Sequence, residues 1–232
     1  MRKKLQQLLA KIFSSRGLFL FVFISLAAAS AYLAFRMITD PTTRDYYTLS
    51  LVQCLLGIFL LFLPSLVSRR LKATLSSWMM VAYVLFIYGG VYLGEMHDFY
   101  FRVPHWDTLL HFISGALLGI LGYALISFLN NSKKIPLVLS PLFAALFIFC
   151  FSMTLAVFWE IYEFTVDSIF GINTQKWALA DGTPLVGQAA LADTMKDLIV
   201  AALGAGIFSI ISYFAIKRNA KWLDKLNLKR LP

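Results

Sequence analysis

Six apolar runs, each about as long as a bilayer's hydrocarbon is thick, leave this chain very few ways to fold. About 20 helical residues cross roughly 30 Å of hydrocarbon, and residues 17–38, 47–67, 75–94, 107–129, 135–163 and 191–216 all meet that length. Inside lipid every backbone N–H and C=O must find its partner within the protein. The runs lack the alternation of barrel strands, so helices are the remaining solution. The expected fold is all-α: one membrane domain over residues 1–232, built as a bundle of six transmembrane helices. Composition names the solvent: 59% hydrophobic and 14% charged residues are far from the balance of water-soluble domains.

Lys and Arg predict the orientation, because basic residues gather on the cytoplasmic side of short loops. One side collects sixteen of the 21, in the groups 2–16, 69–72, 133–134 and 217–230. Arg36, Arg44, Arg102, Lys176 and Lys196 fall on the other, together with every acid except Asp224. Both termini are therefore expected in the cytoplasm. The formal charge of +9 lies beside membrane spans rather than on a polar domain, so it speaks for topology and not for nucleic acid.

Residues 1–16 carry Leu5, Leu8, Leu9, Ile12 and Phe13 at helical spacing among basic residues, the pattern of an amphipathic helix on the inner leaflet. The basic tail 217–232, with Trp222, Leu223 and Leu226, has similar character. Ala27 to Ala31 resembles a signal-peptidase site, yet the apolar run continues through Phe35, which favours an uncleaved span. Cys54 and Cys150 sit inside apolar runs and form no disulfide or metal-binding pattern. The one long connection, 164–190, contains Gly171, Asn173, Asp181 to Pro184 and Gly187, and reads either as a lid or as a solvated loop.

Ionisable residues at the edge of hydrocarbon are costly and therefore informative. Glu95 lies 23 residues from Lys72, Asp107 lies 23 from Asn130, Glu160 lies 24 from Pro136 and Asp193 lies 24 from Lys217. At about 1.5 Å per residue each distance is roughly 35 Å. Four helices thus place an acid at one level, the outer one. Within each helix a second group follows on the same face: Asp98 after Glu95, His111 after Asp107, Glu163 and Asp167 after Glu160, Asp197 after Asp193. Charged faces turn inward in a membrane, so these are expected to converge on an external pocket, with Glu95 and Asp98 as additional members.

So many carboxylates near low dielectric must protonate, bind a metal ion or bind a cationic substrate. Asp107, His111, Glu160, Glu163, Asp193 and Asp197 form a suitable ligand set for a divalent ion such as Mg, Mn, Fe or Zn. The competing reading leaves the acids solvated at the interface, with Asp107 and Asp193 as helix-start residues. Trp106, Trp159 and Trp177 read as an aromatic belt, and Gly115, Gly119, Gly122, Gly204 and Gly206 as small faces for close helix approach.

At these residues the sequence resembles the YjdF-like bacterial inner-membrane family and, more distantly, VanZ-like proteins. The pattern is Asp107-x-Leu-x-His111-Phe-x-x-Gly115, Glu160-x-x-Glu163 and Asp193-Thr194-x-x-Asp197 followed by Leu203-Gly204-Ala205. The resemblance implies a multi-pass protein of the bacterial cytoplasmic membrane with a role in the cell envelope, and supplies no reaction.

The leading expectation is a metal-dependent hydrolase or transferase acting on a lipid-linked or phosphate-bearing substrate at the outer face. Metal would activate water or polarise an oxygen, with Glu160 or Asp167 as general base. A cation- or proton-coupled transporter and a non-enzymatic envelope partner protein are the alternatives.

Overall fold

A computed structural model describes residues 15–40, 44–130, 139–179, 181–219 and 221–230. Six of its helices are long and apolar enough to cross a membrane. The amphipathic segment expected over 1–16 lies outside the described residues except for Ser15 and Arg16, as do Lys133 and Lys134. The chain divides into two compact units, the first formed by residues 1–106 with 228–232 and the second by 107–227.

The first unit contains α1 (Ser15–Thr39), α2 (Arg44–Leu71) and α3 (Ser77–Ile87), which continues as a wider π-helical stretch over Tyr88–Met96. Val22, Leu26 and Leu33 of α1 meet Cys54 and Leu61 of α2 and Val84 and Ile87 of α3 in a closed apolar core. The opposite faces are apolar too: Ile24 is 62% exposed and Phe35 60%. Water would reject such a surface, whereas lipid does not. The third span was expected to be one regular helix; instead it widens where Gly89, Gly90 and Gly94 fall. The missing Cβ at Gly94 admits the Tyr100 ring, and the Gly89 carbonyl accepts the Trp106 indole N–H at 3.1 Å. A short helix α4 (Phe99–Arg102) follows. Strand β1 (Ala73–Thr74), between α2 and α3, pairs antiparallel with β2 (Lys229–Arg230).

The second unit consists of α5 (Trp106–Asn130), α6 (Pro141–Phe170), α7 (Gln188–Lys217) and a 3-10 turn (Lys221–Leu226). Ser140 opens α6 by accepting the Phe143 N–H on its hydroxyl at 3.2 Å, with Pro141 in the first turn. The helix outruns the apolar stretch that announced it. Hydrogen bonding continues past Glu163 until Gly171 takes a left-handed conformation that closes the end, with its N–H on the Asp167 carbonyl. The connection between α6 and α7 is therefore 171–187 rather than 164–190. Leu223 and Leu226 of the basic tail are buried in this unit's core with Ile126, Ala144, Ile148 and Phe208.

Helices α5 and α7 approach at backbone distance. A Cβ at Gly115 would collide with the Ala201 carbonyl, and one at Gly204 with the Phe112 carbonyl. Gly115 faces Ala201 and, one turn on, Gly119 faces Phe208, so the two helices run in the same direction. Hydroxyls bind the third helix in: Ser152 donates to the Gly115 carbonyl at 2.7 Å and Ser209 to the Ala145 carbonyl at 2.5 Å. Because a backbone carbonyl cannot swing aside, Gly204→Val is expected to cost about 3 kcal/mol. Thermal unfolding in detergent should show this loss; a wild-type midpoint would mean that the helices do not meet here.

A candidate metal centre at the acidic ends of three helices

The close crossing of α5 and α7 decides what lies one turn toward their starts. His111 precedes Gly115 by four residues and Asp197 precedes Ala201 by four, so the two side chains meet. The His111 Nε2 lies 3.8 Å from Asp197 Oδ2 and 3.5 Å from Asp107 Oδ1. One ligand atom from each of Asp107, His111 and Asp197 falls within 4.8 Å of the others. Metal–ligand bonds of about 2.1 Å hold neighbouring donors roughly 3.0 to 3.4 Å apart. The two histidine–carboxylate separations are at most a few tenths of an ångström wider, and all three donors lie within 4.8 Å of one another, so an ion would draw the two carboxylates together.

Two carboxylates here are buried without full hydrogen bonding. Asp197 is 2% exposed, and its Oδ1 has no partner among the described residues; Glu160 is 5% exposed, with Oε2 in the same state. Burying an anionic oxygen unpaired costs several kcal/mol unless a cation or proton meets it. Glu160 interacts electrostatically with His111, Asp193 and Asp107 and is hydrogen-bonded to Thr194. Thr194 in turn accepts the Gln175 side-chain N–H at 2.9 Å. Glu163, one turn along α6, accepts the Trp159 indole N–H at 2.9 Å.

A loop supplies the cation. Lys176 Nζ forms an ion pair with Asp107 Oδ2 and another, at 3.3 Å, with Asp193. Asp107 is thereby split: one oxygen is held by lysine, the other turns to His111. Although partial burial pulls the Lys176 amine down, the carboxylates of Asp107, Asp193 and Asp197 raise it above the usual lysine value. The ammonium is thus charged throughout the neutral range, and its ion pairs would be lost only as pH rises beyond the raised value.

The loop that carries Lys176 is closely hydrogen-bonded. Asp167, 7% exposed, accepts the Thr174 N–H and hydroxyl at 2.8 and 2.6 Å on Oδ1, and the Gln175 N–H at 3.0 Å on Oδ2. Asn173 bonds to both the N–H and the carbonyl of Ala178, and the Trp177 indole N–H donates to the Ile172 carbonyl. Beyond it Ala178 and Pro184 form an antiparallel bridge, with Leu185 N–H on the Trp177 carbonyl. Asp181 at the tip is exposed and turned onto the Thr183 N–H, which holds its carboxyl below the ordinary range. It shapes the turn.

The structure thus brings together Asp107, His111 and Asp197, with Glu160, Glu163 and Asp193 around them. Asp167 ties the loop. Glu95 and Asp98 belong to the first unit, where Asp98 pairs with Arg102 at 3.1 Å. Lys176 was legible in the sequence as a cation near the acids, whereas the part played by Thr174 and Gln175 in holding its loop was not.

The model of the family described as "Predicted membrane protein (DUF2238)" matches residues 18–218. An uncharacterised protein of Thermotoga maritima is 31% identical over 122 residues, 52% of this chain and 54% of that protein. The chain thus spans about half the length of that relative. No solved structure matches.

Proposed function

The chain belongs to the DUF2238 family of predicted membrane proteins, and on that premise we propose that it is a metal-dependent hydrolase or transferase of the bacterial cytoplasmic membrane. Asp107, His111 and Asp197 would hold one divalent ion, with Glu160, Glu163 and Asp193 completing or flanking the ligand set. The observation that carries the reading is the buried Asp197 carboxylate, one oxygen unpartnered among the described residues and the other 3.8 Å from a histidine nitrogen. An ion at this point satisfies all three side chains at once.

In this reading both termini are cytoplasmic and the centre opens outward, as the distribution of Lys and Arg supports. Kinship with YjdF-like and VanZ-like envelope proteins is part of the same proposal. A divalent ion would supply Lewis acidity or activate a water molecule. Glu160 is suited to general-base work, being beside the triad with one oxygen unpartnered among the described residues. With both its oxygens bound to the loop, Asp167 is better suited to positioning Lys176. The Lys176 ammonium has three N–H donors. Two engage Asp107 and Asp193, leaving the third for an anionic oxygen, which favours a lipid-linked or phosphate-bearing substrate.

Elemental analysis tests the foundation. Protein purified without chelator, and again after supplementation with Mg, Mn, Fe or Zn, is expected to retain about one ion per chain after desalting. Absence of stoichiometric metal from both preparations refutes the centre.

A further inference from the structure

A cavity of about 490 Å³ lies at the opposite end of the first unit's helices from Glu95, among α1, α2 and the start of α3. Its volume is within the usual range for small-molecule sites. Its lining is graded along the helix axes. On α1, Ser15 and Arg16 lie about one turn before Phe19 and Leu20; on α2, Ser65 lies one turn after Phe62; on α3, Ser77 lies one turn before Met80. The three helices therefore agree independently: hydroxyls and a guanidinium at the end that bears Arg69, Arg70 and Lys72, and apolar side chains one turn deeper. Such an order matches an amphiphile standing in a membrane, head at the interface and chain in the hydrocarbon.

The head end favours a negative charge. Arg16 is exposed and pairs with no carboxylate among the described residues. Helix α3 begins at the cavity without a side-chain cap: the Ser76 hydroxyl makes no capping bond, and it is buried and unpartnered among the described residues. The first-turn N–H groups and the positive end of the helix dipole thus add to the arginine. Thr74, whose strand is paired with β2, contributes a further hydroxyl from a fixed backbone.

We propose that this cavity binds an anionic glycerophospholipid, its phosphate against Arg16 and the first turn of α3 and an acyl chain over Phe19, Phe62 and Met80. Zwitterionic lipids carry the same phosphate with a compensating cation, so the site discriminates by charge as well as shape. The proposal is independent of the metal centre.

The test uses the full chain, delipidated in maltoside micelles, with bound lipid counted by native mass spectrometry. Dioleoyl phosphatidylglycerol is expected to bind at least about fivefold more tightly than dioleoyl phosphatidylcholine, the effect of one basic side chain at a membrane surface. Arg16→Gln should abolish the preference, and Met80→Trp, which fills the apolar end, should weaken both lipids. Arg102→Gln, an exposed arginine elsewhere in the same unit, should change neither. Equal binding of the two lipids to the wild type overturns the proposal, as does a preference that survives Arg16→Gln or disappears in Arg102→Gln. Displacement of the bound lipid by inorganic phosphate alone would assign the site to a free anion and equally overturn it.

Discussion

Asp197→Asn is expected to stabilise the metal-free protein and to abolish its response to metal. In the apo state the substitution removes a negative charge that is 2% exposed and repelled by Asp107, Asp193 and Glu163. Relief of that burial and repulsion is worth about 1 to 3 kcal/mol. In the metal-bound state the same substitution deletes an anionic ligand. Affinity should fall about 100-fold or more, which is about 2.7 kcal/mol. His111→Ala should lose affinity comparably, because it removes the nitrogen lying between the two carboxylates. Thermal unfolding with and without Mn or Zn measures both effects. A purely structural Asp197 predicts the reverse pattern, an apo protein that loses stability and keeps any metal-induced shift.

The second large effect is expected at Asp167, whose carboxylate receives two backbone N–H groups and a hydroxyl from Thr174 and Gln175. Asp167→Ala strands those donors in a partly buried site, and opening of the loop should become easier by about 3 kcal/mol. Hydrogen exchange at the Thr174 and Gln175 amides would then accelerate roughly 100-fold. Asp167→Asn should be intermediate, since one amide oxygen still accepts while the amide nitrogen opposes a donor. Metal affinity should change less than exchange does, because Asp167 is not one of the three closest ligands. Unchanged exchange in Asp167→Ala would show that the loop is held by other contacts.

Much of the candidate site was legible because helical periodicity sorts residues onto faces. Asp107 with His111 and Asp193 with Asp197 were matched by spacing alone; Asp107, His111 and Asp197 meet around a common point, and Asp193 shares Lys176 with Asp107. Glu160 joined them by depth and Glu163 by its spacing from Glu160. Asp98 followed Glu95 by the same periodicity, and in the first unit it pairs with Arg102. Depth along the membrane normal is one coordinate of three, and it says nothing about which helix stands beside which. Asp167 illustrates a second limit. Spacing aligned it with Glu160, but its partners lie seven and eight residues further on, in a loop whose path depends on the left-handed turn at Gly171.

Helix ends show the same division. The apolar runs located all six helices, while α6 ran on to Phe170 and α7 began at Gln188. Hydrophobicity marks where lipid begins and ends, and a helix stops only where its hydrogen bonding is capped. Residue types alone determined the helical class and six apolar helices long enough to cross a membrane, because hydrocarbon tolerates no unpaired backbone. Tertiary structure decided which acids became neighbours. That choice rests on Gly115 and Gly204, where missing side chains let two backbones touch and carry Asp107, His111 and Asp197 to one point.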